Sequence, residues 1–287
     1  MSSVSVIIPV YNSQETLERA VASVIHEPLV SEVLIVDDGS TDGSLELALG
    51  LAERFSVVRV LQHPLGGNNG ACASRNLGLA HAQSDWIQFL DADDELLPGK
   101  IAGQLALASS EVAFVVGNSI HVFPDGRRHY RKWDKNIWKG LIRSNLGTTS
   151  STLWNRELIV AVGGWDQQLQ SSQEYDLMFR LFKKNPKVAF DATSKTVIHF
   201  REQSISHHPQ QKEKRNQNWL ELRERIKNHL LESKQFGLKY QYAWSGAVGQ
   251  FCSTQGVVLP SQINKFLFRV YELELFLKKR IYQLIKY

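Results

Sequence analysis

Cysteine is scarce. Cys72 and Cys252 are the only two in 287 residues, too few for a disulfide framework, and neither has the CxxC neighbour that a zinc site would want. That usage predicts a reducing, cytoplasmic compartment. Long hydrophobic runs are missing as well: nothing approaches eighteen uninterrupted apolar residues, so no transmembrane helix is expected. The first residues run straight into Val4-Ser5-Val6-Ile7-Ile8-Pro9-Val10, with no basic stretch and no cleavage site, which predicts that no signal peptide is present. Internal repeats and low-complexity tracts are absent. Apolar residues make up 43% of the chain and charged residues 22%, a globular balance that excludes disordered and fibrous classes.

What is present is a strand–helix alternation. Val4–Val10, Val33–Val36, Val57–Leu61 and Trp86–Leu90 read as short apolar strands, with helical patterns near 14–26, 43–54 and 71–82 between them. Near-continuous apolar strands separated by helices predict βαβ units around a parallel sheet covered on both faces. Ligands of such sheets bind beyond the carboxyl ends of the strands. The polar residues there are Tyr11-Asn12, Asp37-Asp38-Gly39-Ser40-Thr41-Asp42 and Asp91-Ala92-Asp93-Asp94. Carboxylates converging on one crevice repel one another unless a cation or a hydrogen-bonding ligand lies between them.

Charge is unevenly spread. Residues 1–200 carry a net −4 and residues 201–287 a net +8. The tail alternates apolar and basic residues, as in Lys265-Phe266-Leu267-Phe268-Arg269 and Phe276-Leu277-Lys278-Lys279-Arg280. That pattern suits a helix at an anionic membrane interface, and equally a helix packed on the body or on a second subunit. No nucleic-acid-binding module is recognisable, so no nucleic-acid partner is expected.

Val4–Asn12, Val36-Asp37-Asp38-Gly39-Ser40-Thr41-Asp42, Asn69-Gly70-Ala71-Cys72-Ala73-Ser74-Arg75-Asn76 and Phe89–Asp94, followed by Gly163-Gly164-Trp165-Asp166 and Gln173-Glu174-Tyr175-Asp176-Leu177 with Arg180, resemble the successive signatures of family 2 glycosyltransferases. The resemblance covers residues 4 to about 206. It implies the GT-A fold: an α/β, Rossmann-like, mostly parallel central sheet flanked by helices. The catalytic domain would be residues 1–206, with 1–97 binding the nucleotide sugar and 98–206 the acceptor. Residues 207–287 would form a helical, basic extension. The implied reaction is inverting transfer from a nucleotide-diphosphate sugar, a UDP-sugar first of all, to a hydroxyl of a glycan or lipid-linked acceptor in surface polysaccharide synthesis. The inner face of the plasma membrane would be its place.

The residue roles follow from the same resemblance. Asp91-Ala92-Asp93 would be the DXD element, Asp93 binding Mn²⁺ or Mg²⁺ and Asp91 facing the ribose or donor sugar, with Asp94 in support. Asp38 would accept a hydrogen bond from the base, Pro9 and Tyr11 would line the base site, and Arg75 would point to the nucleotide, while Asp37 holds the loop. Glu174 would be the catalytic base, which an attacking hydroxyl requires; its partner acid is replaced by Gln173. His199 would be a further metal ligand or a core histidine. Trp165 and Asp166 would face the acceptor, and Arg201, Ser204 and Ser206 would belong to a loop over the diphosphate.

Plain structural alternatives stand beside these. Asn12 and Glu15 have capping-box spacing, which makes Asn12 a helix cap, and Ser171 and Glu174 share that spacing. Trp133, Trp138, Trp154 and Trp165 could stack on sugars or fill the core. The Gly66–Gly70 stretch lacks a GK[ST] ending and is no P-loop. The rival to an enzyme is a nucleotide-sugar-binding scaffold that has lost catalysis, which Gln173 keeps open.

Overall fold

A computed structural model describes residues 3–200 and 211–285. Chain contacts divide it into two units. The first comprises Met1–Trp133, Gly147–Leu169 and Gln173–His208, and the second Asp134–Leu146, Gln170–Ser172 and Pro209–Tyr287. The basic extension is therefore helical but does not stand alone: it takes in two segments that the sequence assigned to the acceptor half.

The first unit is built on one sheet. Strand β1 (Val4–Val10), helix α1 (Leu17–Ala22), β2 (Val30–Asp37), α2 (Ser44–Arg54), β3 (Val58–Gln62), α3 (Ala71–His81) and β4 (Trp86–Phe89) follow in order. Strands β1 to β4 pair in parallel in the spatial order β3-β2-β1-β4. The valines and isoleucines of β1 and β2 are buried, because helices cover both faces of this part of the sheet; Ser31, near the start of β2, is the exposed position. The chain moves from β1 outward to β2 and β3, then returns to place β4 on the other side of β1. The gap between the carboxyl ends of β1 and β4 is thus the switch point where an open α/β sheet binds ligands.

Beyond β4 the sheet turns mixed. Strand β5 (Glu95–Leu96), α4 (Lys100–Leu105), β6 (Phe114–Val122) and β7 (Arg128–Arg131) come next, and β8 (Thr152–Asn155), α6 (Arg156–Ala161), α7 (Gln173–Lys184) and β9 (Val188–His199) complete this unit. Strand β8 runs antiparallel between β4 and β6, and β9 pairs in parallel with β6 and antiparallel with β5.

Gly39 joins two loops at the binding edge. Its φ is +75°, and a Cβ there would lie 2.7 Å from the Gly67 carbonyl carbon. Any side chain would meet both the left-handed backbone penalty and backbone that cannot swing aside. Gly39→Ala should lower unfolding stability by about 1–2 kcal/mol, read from the urea midpoint. An unchanged midpoint would show that the two loops part freely.

The second unit holds α5 (Ile137–Arg143), α8 (Lys212–Glu232), α9 (Leu238–Gln255) and α10 (Lys265–Ile285). Arg223 of α8, fully buried, explains its recruited segments. Its guanidinium donates to the Ile142 carbonyl at 3.2 Å, to Ser172 Oγ at 3.1 Å and to Ser144 Oγ, and lies 4.0 Å over the Trp219 ring. On α9, Gly246 and Gly249 leave room for Tyr271 and Phe268 of α10, which fixes the face that α10 buries. No described helix is long and apolar enough to cross a membrane.

Candidate active site

Backbone hydrogen bonds hold the strand ends together at the switch point: Asp38 N donates to the Val10 carbonyl at 2.8 Å and Leu90 N to the Ile7 carbonyl at 3.0 Å. Pro9 and Tyr11 are half-buried at the end of β1. Asn12 corrects the capping expectation. It is left-handed, with φ 49°, and its Oδ1 accepts from Thr41 N at 2.8 Å, so it ties the first loop to the second, while Thr16 occupies the N-cap of α1.

Asp37 and Asp38 share the loop-holding work. Asp37 Oδ2 accepts from the amides of Gly39 and Ser40 at 3.2 and 3.3 Å. Asp38, expected to read the base, is buried, and its two oxygens accept from the amides of Asn69 and Gly70, each at 2.8 Å, with His63 Nε2 3.4 Å from Oδ1. The unengaged acceptor at this strand end is Asp37 Oδ1, buried and without a hydrogen-bond partner.

The acidic turn after β4 rests on a buried polar chain. Ser150 Oγ donates to Asp94 Oδ2 at 2.7 Å and accepts from Asp91 N at 3.2 Å. The Ser150 carbonyl accepts from Gln88 Nε2 at 2.8 Å, and Gln88 Oε1 accepts from Lys100 Nζ. Burial pushes the Asp94 carboxyl well above the usual carboxylate range, and the charges of Asp91 and Asp93 add to the rise. Asp91 and Asp93 themselves are half-buried.

Arg75 gathers the opposite wall. Expected to point to the nucleotide, it is buried, with Nη2 on Asp91 Oδ1 at 2.7 Å, Nη1 3.5 Å from Gln173 Oε1 and its guanidinium 4.7 Å from the Trp165 ring. It orients Asp91 and Gln173. Trp165 is 2% exposed and packs edge-on against Phe89 at 5.1 Å and against Trp154 at 5.8 Å. That burial corrects the expectation of a sugar-stacking ring. Trp138 and Trp154 are buried too, and Trp133 donates to the Asp191 carbonyl at 3.0 Å. Asp166, next to Trp165, is exposed and accepts from Gln168 N at 2.9 Å.

Glu174 lies in the first turn of α7, half-buried. Burial raises its pKa, and Asp91 raises it further, against the opposing pull of its own backbone, Arg131 and Arg75. The Ser171 hydroxyl donates to the Arg215 carbonyl at 2.7 Å, so it is not reserved for a capping box. Glu174, Asp91 and Arg75 thus feel one another's charge at one mouth of the sheet. A carboxylate of raised pKa is suited to accept a proton near neutral pH.

His199 Nε2 lies 2.8 Å from Glu95 Oε1, leaving Nδ1 as the nitrogen that could ligate. No group of three His, Cys, Asp or Glu side chains is placed to hold a metal ion among the described residues. The donor set still fits a hard divalent cation. Magnesium-type ions take one or two protein carboxylates and complete their shell with substrate phosphates and water, and a cation at this turn would offset the Asp91 and Asp93 charges that add to the burial-driven rise of Asp94. Arg201, Ser204 and Ser206 lie outside the described residues.

Three residues of this site have no assigned role in the sequence reading. Gln88 was signalled by a polar side chain inside an apolar strand. Asn76 clamps the Trp165 backbone, with Oδ1 accepting from Trp165 N and Nδ2 donating to its carbonyl, both at 2.8 Å. Ser150 sits in a Thr/Ser run with no local mark of function.

A sheet with this topology, with acidic turns at the ends of β2 and β4, defines an α/β protein of the Rossmann-like class. The description "Glycosyl transferase family 2" matches residues 5–161, and the chain belongs to that family. It is 27% identical over 208 residues to a cholesterol galactosyltransferase of Borreliella burgdorferi, covering 65% of this chain and 57% of that one. The aligned parts span 28% to 57% of the length of the first four curated relatives. The fold is that of S. aureus TarS in complex with UDP-GlcNAc, with a TM-score of 0.67 at 17% identity over 91% of this chain and 82% of that one. It is also that of a mannosyltransferase from Pyrobaculum calidifontis in complex with GDP-Man and Mn²⁺, with a TM-score of 0.61 at 16% identity over 98% and 83%. The GT-A expectation holds.

Proposed function

We propose that the protein transfers a sugar, with inversion, from a UDP-sugar to a hydroxyl of a glycan or lipid-linked acceptor, with Glu174 as the base. The observation that carries this reading is the bridge of buried Arg75 between Asp91 of the acidic turn, at 2.7 Å, and Gln173, at 3.5 Å, which brings Glu174 in the first turn of α7 to that turn. Glu174 takes the acceptor proton while the acceptor oxygen bonds to the anomeric carbon. The bond from that carbon to the diphosphate breaks, and the nucleotide diphosphate leaves with the electron pair. Arg75 keeps Asp91 facing the crevice, and Ser150 keeps the acidic turn in shape. Asp93, with His199 Nδ1, would hold Mn²⁺ or Mg²⁺, which would supply neutralisation of the charge on the departing diphosphate, and Asp91 would face the ribose or the donor sugar. Pro9 and Tyr11, half-buried at the end of β1, would line the base site with Asp38 behind them, and the exposed Asp166 would face the acceptor.

The UDP-GlcNAc complex of TarS supports a UDP-sugar donor. The galactosyltransferase named for cholesterol supports a lipid acceptor met at a membrane surface, which suits the basic tail and an enzyme working at the inner face of the plasma membrane. Gln173, an amide in place of the second acid, favours a binding-only scaffold as the second reading, and turnover separates the two. Calorimetric titration with UDP, GDP and dTDP, each with and without Mn²⁺, tests the donor site. UDP should bind more tightly with Mn²⁺, and Asp93→Asn should remove the metal's contribution. Failure of all three nucleotides to bind would end the proposal.

A further inference from the structure

The second unit contains a cavity of about 220 Å³ lined by Lys139, Arg143, Lys239, Tyr242 and Glu274. It lies below the about 300 Å³ at which small-molecule pockets begin, so it is too small for a sugar nucleotide and suits a single compact group. Three of its five lining residues are cations. Lys139 pairs with Asp134 at 3.0 Å, and the Glu274 carboxylate is taken up by the Tyr242 hydroxyl and by Lys278. Arg143 lies 5.9 and 5.2 Å from the rings of Tyr242 and Tyr271, and its Nε is buried without a hydrogen-bond partner. Lys239 is exposed at the rim. With Asp134, Glu274 and Lys278 counted, the cluster keeps two positive charges in excess. A buried donor left unmatched is costly, and a phosphate, with several charged acceptor oxygens, is the group that would satisfy an arginine and two lysines together.

Helix α10 says what carries the phosphate. Phe266, Val270, Leu273, Leu277 and Ile281 are 41–73% exposed, and their spacings of four, three, four and four put them in one stripe covering about 80° of the helix. Glu274 borders this stripe on one side and leads to the cationic pocket. Arg269 and Arg280, both exposed, border it on the other. An apolar stripe with arginines along one edge and, past Glu274, a cationic pocket along the other is the pattern of a helix lying in a bilayer interface. A second copy of the chain would bring these like charges face to face, which argues against self-association here. We propose that the pocket binds the phosphate of an anionic lipid headgroup while the α10 stripe enters the acyl boundary. The proposal extends the membrane placement of the tail and is independent of the transfer chemistry.

Cosedimentation of the full chain with vesicles tests it. Binding to equal parts phosphatidylcholine and phosphatidylglycerol should exceed binding to phosphatidylcholine alone by about tenfold. Lys239→Glu, at an exposed position, and Arg143→Gln should each remove that preference. Lys214→Glu, the same charge change outside the pocket, should keep most of it, and Leu273→Ser with Leu277→Ser should abolish binding to both vesicles. Inorganic phosphate alone should give no saturable heat. The proposal fails if both pocket variants keep the preference, or if Lys214→Glu removes as much of it as Lys239→Glu, which would mean diffuse charge. It fails equally if phosphate binds saturably while the chain ignores vesicles. Sugar transfer to a soluble acceptor, measured on the same variants, reports separately on the catalytic reading.

Discussion

Glu174→Gln is expected to lower the turnover of sugar transfer by about a hundred- to ten-thousandfold, with nucleotide binding unchanged. The amide is nearly the same size, so what is lost is the ability to take a proton. The substitution also separates the base from its rival role, because Gln serves a capping box as well as Glu does. A residue that only capped α7 would leave both turnover and stability intact. The pH profile adds a second readout. Glu174 must be deprotonated to act, and burial together with Asp91 raises its pKa. The acid limb of kcat should therefore fall above the usual carboxylate range, with activity lost as pH drops through it. Asp91→Asn removes one cause of the rise and should move that limb to lower pH. Full activity of Glu174→Gln would remove the base assignment.

The parallel half of the sheet was legible because its signal is local. Strands β1, β2 and β4 are apolar runs bounded by turn residues, and a strand buried on both faces can hardly look otherwise; β3, at the edge, keeps Arg59 and Gln62 exposed. The acidic turns at the ends of β2 and β4 were legible for the same reason, since topology alone carries polar residues at neighbouring strand ends to one crevice. What stayed hidden depends on partners distant in sequence. Strand β8 is four residues of mixed character, Thr152–Asn155, whose place between β4 and β6 is set only by pairing. The transfer of residues 134–146 to the second unit turns on Arg223, eighty-one positions beyond the carbonyl it binds. Asn12 has the letters of a helix cap, and what it binds is Thr41 in the next loop. Trp165 followed the opposite course: a ring offered as a sugar platform lies in the core, because its neighbours Phe89, Trp154 and Arg75 come from three separate elements. Charge was legible as composition and not as geometry. The basic tail was plain, but its division into a pocket and the edges of a stripe needed the helices in place.

Lys100 shows how far a buried partner can move a group that looks like surface in the sequence. It is 1% exposed, and burial lowers its pKa from 10.5 to about 7, with Asp191 opposing the fall. Between those two values the unfolded chain holds a proton that the folded chain has released. Stability therefore rises with pH across that window and falls as Lys100 becomes charged toward pH 7. Cys72 acts in the opposite sense: burial raises its pKa from 9.0 to about 11, so its effect begins only near pH 9 and the cleaner interval lies below that. From about pH 7 to about pH 9, wild-type unfolding stability should rise by about 2–3 kcal/mol. Lys100→Met should flatten that rise. The loss of the bond to Gln88 Oε1 is a constant offset and leaves the slope untouched. Urea unfolding at the two pH values measures both proteins, and an equal slope in the variant would assign the titration to another group. The test bears on the site as well as on the core. Gln88 links Lys100 to Ser150, and Ser150 holds Asp91 and Asp94, so the Lys100 titration is felt at the foot of the acidic turn after β4.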